Sequence, residues 1–92
     1  MRQLIWSGPA RRDLFSIAEH YEAIDPDLPA VMLRAIQKAP LILLTHPEIG
    51  APMERRGLRK WPVKGTPFLL FYAATRERVE IKRVRHAAED WR

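Results

Sequence analysis

His86 is the residue of this sequence best suited to acid–base chemistry, because histidine alone changes its charge near neutral pH without help from its surroundings. It ends a strand-like segment beside Arg83 and Arg85. A histidine in that setting is typical of a general acid or base in RNA cleavage, with the arginines stabilising the crowded phosphate of the transition state. A histidine that only caps the end of a strand through hydrogen bonds is the simpler interpretation, and the sequence leaves both open.

The remaining residues do not indicate metal or cofactor chemistry. The sequence contains no cysteine, which excludes a disulfide framework, a thiolate metal site and a thiol nucleophile. His20 and His46 are far from His86 in the chain and follow no ligand spacing. No phosphate-binding glycine loop or nucleophile elbow is present either. Glu54 is a further candidate base, although a single loop carboxylate is more often only solvated. We expect neither a metal nor an organic cofactor.

The positive charge of the chain is concentrated in its second half. Sixteen lysines and arginines against eleven acids give a net charge of +5. Residues 1–46 carry five bases and five acids, whereas residues 47–92 carry eleven bases and six acids. Such a one-sided field favours a nucleic acid or an acidic protein as partner, and a merely solvated basic surface is the alternative.

The length of 92 residues suits a single domain that spans residues 1–92. The contents of 47% hydrophobic and 29% charged residues are ordinary for a globular protein. The longest apolar run, residues 39–44, is far too short to span a bilayer, and the N-terminus lacks the apolar block of a signal peptide. We therefore expect no membrane association and a cytoplasmic location.

The hydrophobic periodicity predicts a strand followed by two helices. Residues 3–6 form the strand, and Ser7 is placed to cap a first helix with Pro9 in its first turn. The inward face of this helix is marked by Ala10, Leu14, Ile17, Ala18, Tyr21 and Ile24. Asp25 is the predicted cap of a second helix, with Pro26 at its first position. The inward face of the second helix consists of Leu28, Val31, Met32, Ala35, Ile36 and Ala39.

Pro40 leaves the course of the chain open after the second helix. Proline has no N–H for the Ile36 carbonyl, and its ring clashes with that group. Either the helix kinks and continues through residues 41–44, or it ends and a buried strand begins, and so short an apolar run suits both. Residues 45–57 are predicted as a loop, because two prolines and two glycines interrupt them.

Three strands are predicted in the second half, at residues 58–63, 68–73 and 79–86, before a short tail at residues 87–92. The order strand, helix, helix, strand, strand, strand predicts an α+β fold. Because the connection between the two helices is short, they form an antiparallel hairpin, packed on one face of a small, mostly antiparallel sheet.

The face of the sheet that the hairpin leaves open is the predicted surface for contact with a target. Strand alternation puts Arg83 and Arg85 on one face with Val79 and Ile81, which mixes polar and core residues. A bulge near Lys82 would remove this conflict, but the sequence does not show one. The candidate target-contact residues, chosen as cations and large aromatics at or near this face, are Arg59, Lys60, Trp61, Arg83, Arg85, His86 and Trp91.

Several short motifs occur in an order that is typical of one family. They are Ile5-Trp6-Ser7 with Ala10, Asp13 and Leu14; Ile17 and Tyr21; His46-Pro47 with Gly50; Gly57-Leu58-Arg59; Leu70-Phe71-Tyr72; and residues 79–91 with Arg83, His86 and Trp91. In this order and spacing they resemble the RelE/ParE superfamily of type II toxin–antitoxin toxins, and most of all its ParE branch. The resemblance covers nearly the whole chain. It implies the fold predicted above, with a kinked helix that continues past Pro40.

The resemblance implies a small toxin that is neutralised by an antitoxin encoded alongside it. Such antitoxins have a DNA-binding N-terminal part and a C-terminal segment that wraps the toxin. Here that segment is expected to be acidic and to cover Leu14 and Tyr21. ParE-like members poison DNA gyrase, whereas RelE-like members cleave mRNA on the ribosome. We expect no sequence-specific nucleic-acid binding by the chain itself.

Within the superfamily, the residues favour ParE. Leu69 stands where RelE-like nucleases typically have an arginine, so a phosphate-contacting cation is missing. Some nucleases follow the last histidine with an aromatic residue, but here Ala87 follows His86. The resemblance therefore implies a gyrase inhibitor without catalytic residues of its own. A ribosome-dependent endoribonuclease that uses Arg59, Arg83 and His86 is the alternative, and a decayed toxin that only binds its antitoxin would look the same in sequence.

Overall fold

A helical hairpin packs on one face of a five-stranded sheet in the computed structural model, which describes residues 2–89. The elements, in chain order, are β1 (Gln3–Trp6), α1 (Gly8–Glu22), α2 (Leu28–Lys38), a 3-10 helix (Ala39–Leu44), β2 (Ala51–Pro52), β3 (Arg59–Pro62), β4 (Phe68–Ala74) and β5 (Arg78–His86). The predicted α+β class and the predicted order of strands and helices are confirmed. The predicted tail at residues 87–92 extends beyond the described residues.

The first helix begins where the sequence predicts it. The Ser7 hydroxyl accepts a hydrogen bond from the Ala10 amide at 3.1 Å, so Ser7 is the N-cap, and Pro9 lies in the first turn. Ala10 and Ile17 are buried against the sheet. The helix ends at Glu22, two residues before Ile24, which is 63% exposed. The prediction that Ile24 belongs to the inward face is therefore wrong.

The second helix begins later than predicted. Asp27, and not Asp25, occupies the N-cap position, and Pro29 rather than Pro26 lies in the first turn. The Asp25 carboxylate instead accepts a hydrogen bond from the Asp27 amide at 2.8 Å, which stabilises the turn between the helices. Val31, predicted to face inward, is 57% exposed, so that prediction is wrong, whereas Ile36 is buried and Met32 and Ala35 pack against the core.

The chain continues after Pro40 as a 3-10 helix, which is neither the kinked α-helix nor the buried strand considered above. Pro40 lies in the first turn of this helix, where its missing N–H needs no partner. Pro40 and Leu43 are buried, whereas Leu41 and Ile42 are about half exposed. The change of helix type thus keeps the backbone helical while it removes the α-helical bond that proline cannot make.

The strand order in the sheet is β1-β5-β4-β3-β2, and among the strands of residues 2–89 only the β1–β5 pair is parallel. This confirms a mostly antiparallel sheet. The two-residue strand β2 lies inside residues 45–57, which were predicted as a loop without a strand. It pairs with the beginning of β3, where Ala51 lies opposite Lys60.

A bulge at Lys82 resolves the mixed pattern of the last strand. Phe71 pairs with Arg83, but the next residue, Tyr72, pairs with Ile81, so Lys82 is an extra residue in β5. The alternation therefore shifts by one residue at this point. Val79, Ile81 and Val84 all become buried beneath the helices. The cationic side chains of Arg83 and Arg85 fall on the opposite face, together with Phe71 and Leu69.

The hydrophobic core lies between the hairpin and the sheet. Phe68, Leu70 and Tyr72, at alternate positions of the central strand β4, form its floor against Ile17 and Ile36 from the helices. Within residues 2–89, no helix is both long and apolar enough to cross a membrane.

Candidate functional site

The open face of the sheet carries cations from β3 and β5 on either side of apolar residues of the central strand β4. Lys60 pairs with Phe71, and Phe71 pairs with Arg83, so these three residues lie side by side on the face away from the hairpin. One step along the sheet, Leu69 pairs with Arg85. The structure thus brings together three of the predicted target-contact residues, Lys60, Arg83 and Arg85.

The guanidinium of Arg83 is fixed by Asp13 of α1. Arg83 donates from Nε to Oδ2 at 2.8 Å and from Nη2 to Oδ1 at 3.0 Å, and the Val84 amide donates to the same Oδ2 at 2.9 Å. Strand β1 pairs with β5 only as far as Ile81. Beyond that point the Asp13 carboxylate, rather than a residue of β1, accepts the hydrogen bond of the Val84 amide. The bond to Asp13 raises the pKa of Arg83, which is charged at every usable pH.

His86 has the geometry of a strand cap. Its Nδ1 accepts a hydrogen bond from the Ala88 amide at 3.0 Å, and its own amide donates to Oε1 of Glu89 at 2.9 Å. Glu89 also binds Arg85 through an ion pair of 2.5 Å. An Nδ1 that accepts a hydrogen bond places the proton of a neutral imidazole on Nε2. These contacts match the simpler of the two interpretations of His86 in the sequence.

Arg59 and Trp61 face the helical side of the sheet rather than its open face. Arg59 pairs with Tyr72, and its Nη1 donates to the Gly50 carbonyl at 2.8 Å and to the Glu48 carbonyl at 3.1 Å. Trp61 donates from Nε1 to the Ala39 carbonyl at 3.1 Å. Their assignment to the open face is therefore wrong, although their contact with a target stays a prediction.

Tyr72 connects two of the sequence motifs in one buried cluster. Its hydroxyl donates to the Pro47 carbonyl at 2.7 Å and accepts from the Gly50 amide at 3.0 Å. The Tyr72 side chain is fully buried, and this burial raises its pKa above the ordinary 10.0. A Cβ on Gly50 would approach Cε1 of Tyr72 to 2.6 Å and the Lys60 carbonyl to 2.8 Å, so only glycine fits. The positions of the motifs in the sequence pointed to these residues, but not to the hydrogen bonds between them.

A cavity between α1 and the sheet joins Tyr21 and His86, which were predicted to bind different partners. Its volume is about 270 Å³, and it is lined by Ser16, Ile17, His20, Tyr21, Phe68 and His86. Phe68 meets the ring of Tyr21 edge-on at 6.1 Å and the ring of His86 edge-on at 5.6 Å. Leu14, the other predicted antitoxin contact, packs at the edge of the core and does not line this cavity.

Large exposed apolar side chains are concentrated in the helical half of the chain. Phe15 on α1 is 72% exposed, and Ile24 and Val31 also have more than half of their surface in water. Exposed apolar surface of this kind marks interaction sites. Phe15 did not belong to the inward periodicity of α1, and for that reason sequence analysis missed it.

The three residues of the alternative nuclease mechanism do not converge. Arg59 pairs with Tyr72 and His86 pairs with Phe68, four residues apart along β4. This corresponds to about 13 Å at the rise of a strand. Arg83 lies on the opposite face of the sheet. Trp91, the last predicted target contact, lies outside the described residues.

Comparison with known protein families shows to which of the families with this fold the chain belongs. The family model described as "ParE toxin of type II toxin-antitoxin system, parDE" matches residues 4–91.

The chain belongs to the ParE toxin family.

Solved structures agree with this assignment to the ParE family. The chain is similar to one from the chromosomal ParDE toxin–antitoxin system of P. aeruginosa, with 26% identity, a TM-score of 0.81 and coverage of 94% of this chain and 96% of the other. It also resembles a chain of the E. coli DinJ-YafQ toxin–antitoxin complex in fold, with 17% identity, a TM-score of 0.60 and coverage of 95% and 93%. No curated protein matches the chain in sequence. The resemblance to the ParE branch is thus confirmed.

Proposed function

We propose that this ParE-family toxin acts in the cytoplasm, inhibits bacterial growth by poisoning DNA gyrase, and is neutralised by a cognate antitoxin. Gyrase is favoured over RNA as the target because the residues of the alternative nuclease mechanism are all held in structural contacts. Arg59 binds loop carbonyls, Arg83 binds Asp13, and His86 Nδ1 accepts from a backbone amide. These groups lie in different places, and each has a structural partner.

The central strand adds a second argument against RNA cleavage. Leu69, which stands where RelE-like nucleases typically have an arginine, pairs with Arg85 on the open face. Loss of one group that stabilises transition-state charge typically lowers the rate about 10²–10³-fold. A nuclease built on this face would therefore be slow, whereas a protein-binding surface needs no such group.

The open face is the proposed contact surface for gyrase. Lys60, Arg83 and Arg85 supply cations there, and the partly apolar floor of Leu69 and Phe71 lies between them. Cations around an apolar centre are typical of protein interfaces, in which arginine is enriched. Arg59, Trp61 and Trp91 remain candidate contacts. The toxin itself needs neither a metal nor a cofactor for this function.

The hairpin is the proposed surface for the antitoxin. Exposed Phe15, the cavity beside Tyr21 and neighbouring Leu14 offer apolar sites to a segment that folds on binding. The basic second half of the chain suits an acidic segment, since complementary charge speeds association and selects the partner. The solved relatives described as ParDE and DinJ-YafQ systems support an antitoxin partner of this kind.

Supercoiling of relaxed plasmid DNA by gyrase tests the proposed target. The purified toxin should block supercoiling, and Lys60→Glu should relieve the block, while Arg34→Glu on the exposed side of α2 should not. Codon-positioned cuts in mRNA on translating ribosomes, lost in His86→Ala, together with unaffected gyrase, would establish the nuclease alternative instead.

Growth of bacteria tests the toxin–antitoxin assignment. Expression of the chain alone should slow growth, and co-expression of the antitoxin encoded next to it should restore growth. A Phe15→Asp toxin should remain toxic but escape neutralisation, because its antitoxin surface is changed and its open face is not. Normal growth with the soluble wild-type protein would count against the proposal.

A further inference from the structure

A cavity of about 490 Å³ lies at the end of the sheet where β4 passes into β5. Three arginines line it: Arg2 from the residue before β1, Arg59 from β3 and Arg76 from the turn after β4. This end of β4 is opposite to the end where Phe68 pairs with His86. The cavity is therefore separate from the groove at Tyr21.

Two of the three guanidinium groups are held in place by backbone carbonyls. Arg2 donates from Nε to the Thr75 carbonyl at 2.8 Å and from Nη1 to the Leu44 carbonyl at 3.3 Å. Arg59 uses Nη1 for both of its bonds to the loop at Glu48 and Gly50. The Nη2 groups of Arg2 and Arg59 take part in none of these bonds. Each guanidinium thus keeps donors for a ligand in a fixed orientation, which lowers the entropy lost on binding.

Arg76 is the third cation of the set. It is exposed in the β4–β5 turn and makes no ion pair with any of the described residues. Two acids lie close to the site. Glu48 lines the cavity, and Glu77 in the same turn accepts a hydrogen bond from the Thr75 hydroxyl at 3.4 Å. With three arginines and one glutamate, the lining of the cavity has a net positive charge.

The remaining wall of the cavity is apolar. It is formed by Pro52, Met53 and Leu58 from the segment that leads into β3, with Ala74 at the end of β4. The volume falls in the usual range of small-molecule pockets, about 300–1,000 Å³. A ligand that fills it needs an anionic group for the arginines and a flat, weakly polar part for Met53 and Leu58.

We propose that this cavity binds a phosphate monoester of nucleotide size, with the phosphate on Arg2, Arg59 and Arg76 and the base against Met53 and Leu58. Three guanidinium groups match a doubly charged phosphate better than a singly charged carboxylate, because the three terminal oxygens of the phosphate can share the donors of three arginines, whereas a carboxylate offers only two oxygens. The phosphate belongs either to a free nucleotide or to the terminal nucleotide of a nucleic-acid strand. The proposal does not depend on gyrase as the target.

Titration calorimetry of the purified toxin at low salt tests the site, with AMP, adenosine and a short oligothymidylate carrying a 5′-phosphate as probes. AMP should bind at millimolar concentration or below, and adenosine, which lacks the phosphate, should not. Arg76→Glu should weaken the binding of AMP at least about tenfold, because the variant loses the charge-assisted hydrogen bonds of one guanidinium and places a carboxylate beside the phosphate. Arg34→Glu on α2 makes the same change in net charge away from the cavity and should leave binding intact.

The outcomes separate the two sources of phosphate. Binding of AMP and the oligonucleotide with the same loss in Arg76→Glu assigns the site to free nucleotides as well as strand ends, whereas binding of the phosphorylated oligonucleotide alone restricts it to strands. Equal weakening by Arg34→Glu would show only non-specific attraction to a basic protein. That result, or equal affinity for adenosine and AMP, or no binding of any probe, would overturn the proposal.

Discussion

Gly50 has the tightest backbone environment among the glycines of the chain. A Cβ there would lie 2.6 Å from Cε1 of Tyr72 and 2.8 Å from the Lys60 carbonyl, both held in the sheet. Gly50→Ala should therefore lower the free energy of unfolding by about 2–3 kcal/mol, the usual cost of overpacking together with a disturbed buried hydrogen bond. Urea denaturation followed by circular dichroism measures this change.

Gly8 provides the matched control for this substitution. A Cβ at Gly8 would meet only the mobile guanidinium of Arg12 at 3.6 Å, and the residue lies in the first turn of α1. Gly8→Ala should change the free energy of unfolding by less than about 1 kcal/mol, and in the stabilising direction. Equal losses for both variants would mean that the cluster around Tyr72 is not rigid.

Tyr72 should make the stability of the protein depend on alkaline pH. Burial raises its pKa in the folded state above the ordinary 10.0, so the folded protein holds the phenolic proton more tightly than the unfolded chain. The stabilisation is complete below pH 10 and is lost as the pH rises towards the folded-state pKa. Relative to Tyr72→Phe, the wild type should be more stable by about 1–2 kcal/mol at pH 7, and this difference should shrink above pH 10. A difference that stays constant to pH 11 would contradict the assignment.

Residue types were predictable from the sequence, but their partners were not. His86, Arg83 and Arg59 were found because histidine and arginine carry recognisable chemistry. Their contacts come from distant parts of the chain: Asp13 lies 70 residues from Arg83, and Pro47 lies 25 residues from Tyr72. Only the folded topology brings such groups together, so the sequence could not separate a reactive histidine from a capping one.

The attachment of α1 to β5 depends on Asp13, whose carboxylate binds Arg83 and the Val84 amide at once. Asp13→Ala should lower the free energy of unfolding by about 2–3 kcal/mol, because a nearly buried carboxylate is lost and the Val84 amide loses its acceptor. Arg83→Ala should cost less, about 1 kcal/mol, since that side chain is 41% exposed. Hydrogen exchange provides a specific readout: Val84 should lose protection in Asp13→Ala but keep it in Arg83→Ala. Retained protection of Val84 in both variants would contradict this role.

Elements with a clear periodicity were predicted, and elements set by tertiary contacts were not. Helix α1 and strand β4 follow from apolar spacing within one segment of chain. The bulge at Lys82, in contrast, exists only in the pairing of β5 with β4, and two-residue β2 is defined only by its pairing with β3. The 3-10 helix at Ala39–Leu44 accommodates the missing N–H of Pro40 and also buries Leu43. The burial of Leu43 depends on tertiary contacts, so local sequence rules could not predict this helix type.

The whole molecule presents three distinct surfaces to which different partners are assigned in the proposals above. The hairpin carries the exposed apolar residues Phe15, Ile24 and Val31, and the open face carries the cations of β3 and β5. The cavity lined by Arg2, Arg59 and Arg76 lies at the far end of the sheet. This division suggests that toxicity and neutralisation are separable by mutation. The family followed from the sequence, but the cavity lined by Arg2, Arg59 and Arg76 and the exposure of Phe15 required the folded chain.

The C-terminal tail is the part of the molecule that should separate toxicity from folding. The buried core of the described residues ends at Val84, and residues 87–89 join it through surface bonds such as that from the Ala87 amide to the Pro67 carbonyl at 2.7 Å. Deletion of residues 87–92 should therefore abolish growth inhibition while the circular dichroism spectrum and antitoxin binding remain. A shorter deletion of residues 90–92 removes Trp91 but keeps the contacts of Glu89 with Arg85, and comparing the two deletions assigns the effect to one of them. If the truncated protein is unfolded, the tail belongs to the core, and toxicity cannot be attributed to contact between the tail and gyrase.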